Sequence, residues 1–253
     1  MKRKILLGFG LMLLVLMQGC AGTGAKEPES TASGYAGPPT RRVALLTINE
    51  PSLYEVHILH DDIPNPGVTL PGRLVGGTMS LVLQGADRTK HNYKLSEAIS
   101  YWNYKVSEGL TNDIKREMKA IGYEVVVVPV TRNRARFIDK MPNTPVPVDA
   151  YIDAYVDFAG YTAIKHGQPY VPTLDVLVKV ISTKNGSTTY QATLTYGGPI
   201  PVDSPTSTPA DPVFNVRNFE ELCGTVGCEV SPAVQGMKAG TRAVAKMLAR
   251  NIK

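Results

Sequence analysis

Apolar positions recur along this chain with two periods, near two and near three and a half, and the switches between them predict its elements. Arg42 to Ile48 (RVALLTI) is a short β-branched run, read as a buried strand, and Leu53 to Leu59 (LYEVHIL) reads as a second. Ile63 to Gly72 holds three prolines and two glycines, so it reads as a loop. Gly72 to Ala86 sets Leu74, Leu81 and Val82 among glycines, which predicts a short packed helix, with a lipid-facing segment as the alternative. Ile99, Val106, Leu110, Ile114, Met118 and Ile121 then recur at spacings of three, four or seven. That spacing predicts one long helix over Leu95–Ile121. Ser96 is its expected N-cap, Glu97 its first-turn acid and Gly122 its left-handed C′ residue.

Glu124 to Val130 (EVVVVPV) reads as a buried strand, with Pro129 near an edge or bulge. Ala150 to Gly160 alternates: Ile152, Ala154, Val156 and Phe158 share the core face, while Tyr151, Asp153, Tyr155 and Asp157 share a solvated one. Thr173–Ser182 and Thr188–Tyr196 flank Asn185-Gly186, a hairpin signal. Pro199 to Pro212 holds five prolines and reads as a surface loop. Ser231 to Lys253 closes the chain as a helix, with Ser231 as N-cap, Pro232 in the first turn and Val234, Met237, Val244, Leu248 and Ile252 as its apolar stripe. No internal repeat is visible. The expectation is an α/β (α+β) fold, a mixed sheet of about five strands with two main helices packed on it. It forms a single domain over residues 41–253.

The first 40 residues follow different rules. Lys2, Arg3 and Lys4 precede an uncharged run of 13 residues, Ile5 to Met17. A bilayer-spanning helix needs roughly 20, so residues 1–19 read as an export signal. Met17-Gln18-Gly19-Cys20 resembles the lipobox of bacterial lipoproteins. Gly19 and Cys20 match its pattern; Met17 and Gln18 depart from it. The resemblance implies that Cys20 carries a palmitate-bearing lipid anchor as the first mature residue. Ala21 in place of Asp implies an outer-membrane address facing the periplasm. Residues 20–40 are rich in Gly, Ser, Thr, Pro and Ala and read as a flexible tether. Its root-mean-square reach is about 25 Å.

Export changes the meaning of the charge. Removing Lys2, Arg3 and Lys4 with the signal takes the net charge from +5 to +2, so the basic whole-chain balance is no argument for nucleic acid. Lipidation of Cys20 also resolves an odd count of three cysteines. Cys223 and Cys228, in CGTVGC, are expected to pair as a disulfide, with two unpaired thiols as the alternative.

Little in the chain points to catalysis. His57, His60, Asp61 and Asp62 are the densest ligand-like cluster, read as an exposed strand end and not as a metal site. Asp153 and Asp157 stand about 13 Å apart on an extended strand, beyond the roughly 5–9.5 Å of glycosidase pairs. Tyr151 and Tyr155 beside them are candidates for a binding surface. No nucleophile elbow, phosphate-binding glycine loop or paired CxxC is present, so no catalytic residue, metal or cofactor is assigned. Lys238, Arg242, Lys246 and Arg250 recur every four residues on the closing helix. They form one basic face, a candidate contact for anionic lipid heads or an acidic partner. Arg132, Arg134, Arg136 and Lys140 make a second basic cluster, expected on a loop, with adjacency to the first as one reading. Tyr101, Trp102 and Tyr104 mark the helix before it, with core packing as the expected role.

The order of elements behind a lipid signal resembles a group of periplasmic lipoprotein domains: the curli-secretion channel CsgG, the TolB N-terminal-like domains and PelC. The matching landmarks are Arg42–Ile48, Leu95–Ile121, Glu124–Val130, Ala150–Gly160 and Ser231–Lys253. The resemblance implies a non-enzymatic role in envelope assembly or export, with envelope protein partners and compatibility with a homo-oligomer. No segment matches the channel's transmembrane hairpin. An envelope glycan hydrolase using Asp153 or His57, and a lipid or small-ligand binder, are the alternatives.

Labelling cells with a palmitate analogue is expected to mark Cys20. Cys20→Ser should lose the label entirely, and label surviving in that variant would reject the assignment.

Overall fold

The computed structural model of the chain describes residues 41–59, 86–132, 136–165, 167–198, 204–223 and 231–252. The expected signal, the tether, residues 72–85, His60, Asp61, Asp62, Arg134 and Cys228 lie outside these, so the lipid anchor and the disulfide are not described.

The strands are β1 (Arg41–Leu46), β2 (Glu55–Ile58), β3 (Tyr123–Val128), β4 (Ala150–Ala163), β5 (Val171–Ser182), β6 (Thr188–Gly197) and the two-residue β7 (Ser207–Thr208). They form one seven-stranded mixed sheet in the order β3-β1-β4-β5-β6-β7, with β2 also paired to β4. The long β4 shares one edge between two short parallel strands, β1 against Ala150–Ile152 and β2 against Gly160–Ala163. At that second junction the backbones nearly touch. A Cβ on Gly160 would lie 1.8 Å from the Glu55 carbonyl oxygen, so only glycine fits. The fold class is as expected, but the sheet has seven strands, not about five. The extra β7 comes from the proline-rich loop, where the expected surface segment pairs with β6.

The helices are α1 (Ala86–Tyr101), α2 (Val106–Ala120), the short α3 (Phe219–Cys223) and α4 (Pro232–Asn251). Three of these are long, where two main helices were expected. The predicted helix over Leu95–Ile121 is broken at Asn103, which adopts φ +48°; asparagine tolerates that left-handed conformation better than most residues. The break is masked in the pattern because the seven-residue step from Ile99 to Val106 spans it, and both residues reach the same core. Ser96 is therefore no N-cap. It lies inside α1, and its Oγ accepts from the Tyr54 N–H at 3.0 Å. Gly122 does end α2 with φ +88°, and Ser231 Oγ does cap α4, accepting from the Ala233 N–H at 3.3 Å.

Leu95, Ile99, Leu110, Ile114, Met118, Met237, Val244 and Leu248 bury against one sheet face through Val43, Leu45, Ile152, Leu174, Val176 and Leu194. The other face of β1 is covered from residues 130–132 and 136–148, which place Val130, Ile138, Met141 and Val148 over Ala44, Leu46 and Val128. The same segment overturns the expected solvated face of β4. Asp153 is 0% exposed. Its Oδ1 accepts from Arg132 Nη2 at 2.6 Å and its Oδ2 from the Ile138 N–H at 2.8 Å. Arg132 also donates from Nε to the Thr47 carbonyl and from Nη1 to the Arg136 carbonyl. Tyr151 donates to the Pro142 carbonyl at 2.8 Å, and Tyr155 packs edge-on against Phe137. Neither tyrosine is the open binding surface expected of it.

Phe158 also departs from expectation. The β4–β5 register shifts between Val156 and Phe158. A bulge inserts one residue and reverses the alternation beyond it. Ala159, Tyr161 and Ala163 take the core side, while Phe158 turns outward and packs on the His57 ring at 4.8 Å between centroids.

Removing one partner of a buried ion pair leaves the other charge uncompensated. Asp153→Ala is expected to destabilise the domain by about 3–5 kcal/mol in urea unfolding. A loss below about 1 kcal/mol would show that the segment over β1 and β4 is not held by this pair.

Candidate functional site

Two glycines orient the helix that carries the strongest candidate residues. A Cβ on Gly236 would sit 2.1 Å from Tyr161 Oη, and one on Gly240 would sit 3.0 Å from the Tyr196 ring. Without side chains there, α4 settles directly on β4, β5 and β6. Tyr161 Oη donates to the Pro232 carbonyl at 3.0 Å and holds the start of the helix down. From α2, Asp113 reaches across. Its Oδ2 accepts from Thr241 Oγ1 at 2.8 Å, while its Oδ1 takes Arg116 at 2.6 Å. The rotation of α4 is thereby set, and Val234, Met237, Thr241, Val244 and Leu248 are buried.

The opposite face of α4 carries Lys238, Arg242, Lys246 and Arg250, all exposed. Among the described residues none of the four forms an ion pair with a carboxylate. Lys238 Nζ lies 5.6 Å from the centre of the Tyr104 ring, a cation–π contact that leaves its charge in place. The four cations recur every four residues over about 18 Å of helix. The second basic cluster does not join them. The Arg132 side chain is buried beside Asp153, and Val130, Ile138, Met141 and Val148 around it cover the sheet face opposite α4. Of the aromatic trio, Tyr101 is 70% exposed, while Trp102 and Tyr104 pack against the core.

The carboxyl ends of parallel strands are where open α/β sheets usually hold ligands. Here β1 and β3 end beside an open groove of about 850 Å³, lined among others by Glu50, Tyr54, Ser100, Asn103, Thr111 and Asn112. The N-terminus of α2 faces it. Lys105, the residue before that helix, offers no side-chain acceptor. Glu50 takes its place from 56 residues away, its oxygens accepting from the Val106 N–H at 3.2 Å and the Ser107 N–H at 2.9 Å. Tyr54 Oη donates to the same carboxylate, and burial followed by that carboxylate keeps the Tyr54 hydroxyl protonated far above the usual phenol range. The end of the helix dipole that would bind an anion already holds the protein's own.

A second polar cluster lies on the outer face of β2, β4 and β5. His57 Nε2 meets Glu55 at 2.9 Å. Burial raises the Asp157 carboxyl, and Glu55 adds to it. Burial pushes Asp175 up to about 6, against a 2.7 Å bond donated by Thr195 and with Asp157 reinforcing the rise. The bulge at Asp157 brings these groups together, and no periodic pattern announces it. Among the described residues no group of three metal-binding side chains converges.

No family model matches this chain, and no curated protein matches it. Its architecture is similar to several solved structures at low identity. A Xanthomonas campestris protein of the DUF330 family shares 9% identity at TM-score 0.38, over 83% of this chain and 82% of that one. PelC from Paraburkholderia phytofirmans, a dodecamer, shares 9% identity at TM-score 0.28, over 84% and 91%. A hypothetical protein from Chlamydia trachomatis shares 13% identity at TM-score 0.37, over 84% and 95%. The neighbours thus include PelC, from the group that the layout resembles. At these scores the likeness carries no residue role.

Asp175 gives the site a testable pH dependence. Its folded pKa is raised, so its stabilising contribution is complete below the ordinary carboxylate value of 3.8 and is lost as pH rises through about 6. Asn mimics the protonated form. Asp175→Asn is therefore expected to raise stability by on the order of 1–3 kcal/mol at neutral pH and to give no gain near about pH 4. An equal gain at both pH values in thermal unfolding would point to packing and not to charge.

Proposed function

We propose that this chain is an outer-membrane lipoprotein, anchored through Cys20, whose periplasmic domain binds envelope protein partners and performs no catalysis. The observation that carries the reading is the basic ridge of α4. Four cations stand exposed, and without a carboxylate partner among the described residues, on a helix whose rotation is set by close packing at Gly236 and Gly240. Such a face is preorganised for an anionic surface, since little ordering remains to be done on contact.

The rest of the molecule is consistent with a binding role. Asp153, the carboxylate proposed for a hydrolase, has both oxygens committed to Arg132 and Ile138. The groove at the strand ends is open, and serine, threonine, tyrosine and asparagine side chains interrupt its apolar wall, unlike the deep apolar pocket of a lipid carrier. Of its charged residues, Glu50 is engaged with α2, and Lys105 and Glu108 pair with each other at 2.7 Å.

Crosslinking in intact cells, followed by purification of the lipidated chain, is expected to capture envelope proteins or further copies of this chain. Lys238→Glu with Arg242→Glu should reduce that capture roughly tenfold or more, because like charge then faces the partner. Native mass of the same preparation separates self-assembly from a tethered monomer. Capture unchanged by the double reversal would remove the ridge from the interface.

A further inference from the structure

The lower half of the basic ridge ends where the chain enters the domain. Arg41, the first residue of β1, donates from Nη1 to Tyr123 Oη at 3.1 Å. Tyr123 Oη in turn donates to the Ile252 carbonyl at the end of α4, at 3.3 Å. The start of β1, the start of β3 and the end of α4 therefore form one pole of the domain. The end of α2 leads into that pole through Gly122, placing Lys119 beside it. The β5–β6 hairpin tip joins them. Thr183 N–H donates to the Asp149 carbonyl at 3.0 Å, and Asp149 N–H donates to the Arg42 carbonyl at 2.7 Å.

This pole is basic. Arg41, Lys119, Lys184, Lys246 and Arg250 are exposed, and among the described residues none forms an ion pair with a carboxylate. Of the nearby acids, Glu117 pairs with Arg116 at 3.1 Å, and two more are turned to Arg42. Glu124 pairs with its guanidinium at 2.7 Å, and Asp149 accepts from its backbone N–H at 2.8 Å. The far end differs, since Lys105 there is paired with Glu108 at 2.7 Å.

We propose that this pole docks on the headgroups of anionic phospholipid, with Arg41, Lys119, Lys184, Lys246 and Arg250 as the contact. The inference rests on the lipid anchor at Cys20. That residue lies 21 positions before Arg41, so an anchored chain brings the membrane surface to the pole through which it enters the fold. Tethering raises the effective concentration of that surface at this pole above that at any other. A lipid chain joined to a polybasic patch makes a two-point attachment. Docking in this way orients the domain. Lys238 and Arg242, one to three helical turns further from the pole, stay clear of the membrane for a protein partner.

The test uses the mature, full-length chain on vesicles of phosphatidylcholine alone or with phosphatidylglycerol. Lysines are acetylated and located by mass spectrometry. Lys119, Lys184 and Lys246 are expected to react at least about fivefold more slowly on the anionic vesicles, and high salt should restore their rates. Lys165, beyond the far end of β4 and about 40 Å away along the strand, should react equally on both. Lys246→Glu with Arg250→Glu should abolish the protection of Lys119 while the protein stays on the vesicles. Equal rates on the two compositions overturn the proposal. Failure of the chain to remain on phosphatidylcholine vesicles is a different result: it removes the anchor, and protection on the anionic vesicles still decides the docking.

Discussion

The close approach of α4 to the sheet is the constraint on which the rest of this structure depends. Helices pack 8–10 Å from their neighbours when ordinary side chains intervene. Gly236 and Gly240 remove those side chains where Tyr161 and Tyr196 stand on the strands. The helix then has only one rotation that buries Val234, Met237, Val244 and Leu248 together. Its cations project outward as a consequence of that geometry. A larger residue at either glycine would lift the helix, loosen the Asp113–Thr241 bond and blur the ridge.

The two faces of the sheet are managed differently. The inner face is closed by three long helices and a continuous apolar core. The outer face of β1 and the start of β4 is closed by residues 130–132 and 136–149, which have no regular structure. Irregular backbone covering a sheet must have its polar groups satisfied. Arg132 and Asp153 supply part of that, since one guanidinium meets two carbonyls and a carboxylate, and the carboxylate returns a bond to the Ile138 N–H. The basic cluster of this segment is therefore partly structural, while that of α4 is free for contact.

Glu50 plays a comparable internal role at the other end. A helix of 15 residues needs its first N–H groups satisfied, and Lys105 cannot do it. The carboxylate arrives from the loop after β1, steadied by Tyr54. The position at which many α/β domains hold a phosphate thus serves folding here. The proposed role draws instead on the exposed charge of α4 and of the pole beneath it.

Local pattern determined much of this by itself. The hairpin of β5 and β6 about Asn185-Gly186, the caps Ser231 and Gly122, and the four-residue spacing of Lys238 to Arg250 are each written within a short stretch of chain. They survive because neighbouring residues alone set strand faces, helix ends and helix stripes. The break at Asn103 stayed hidden because apolar spacing reports which face a residue presents and is silent about whether the backbone between two such residues is continuous. The bulge at Asp157 stayed hidden because one extra residue reverses the alternation only once a partner strand fixes the register. Burial of Asp153 and capping by Glu50 join residues 21 and 56 positions apart, so no local window contains both partners. Tertiary structure alone decided those pairings, and it alone linked Arg41 to the end of α4, because only the folded sheet sets Tyr123 of β3 between Arg41 and Ile252.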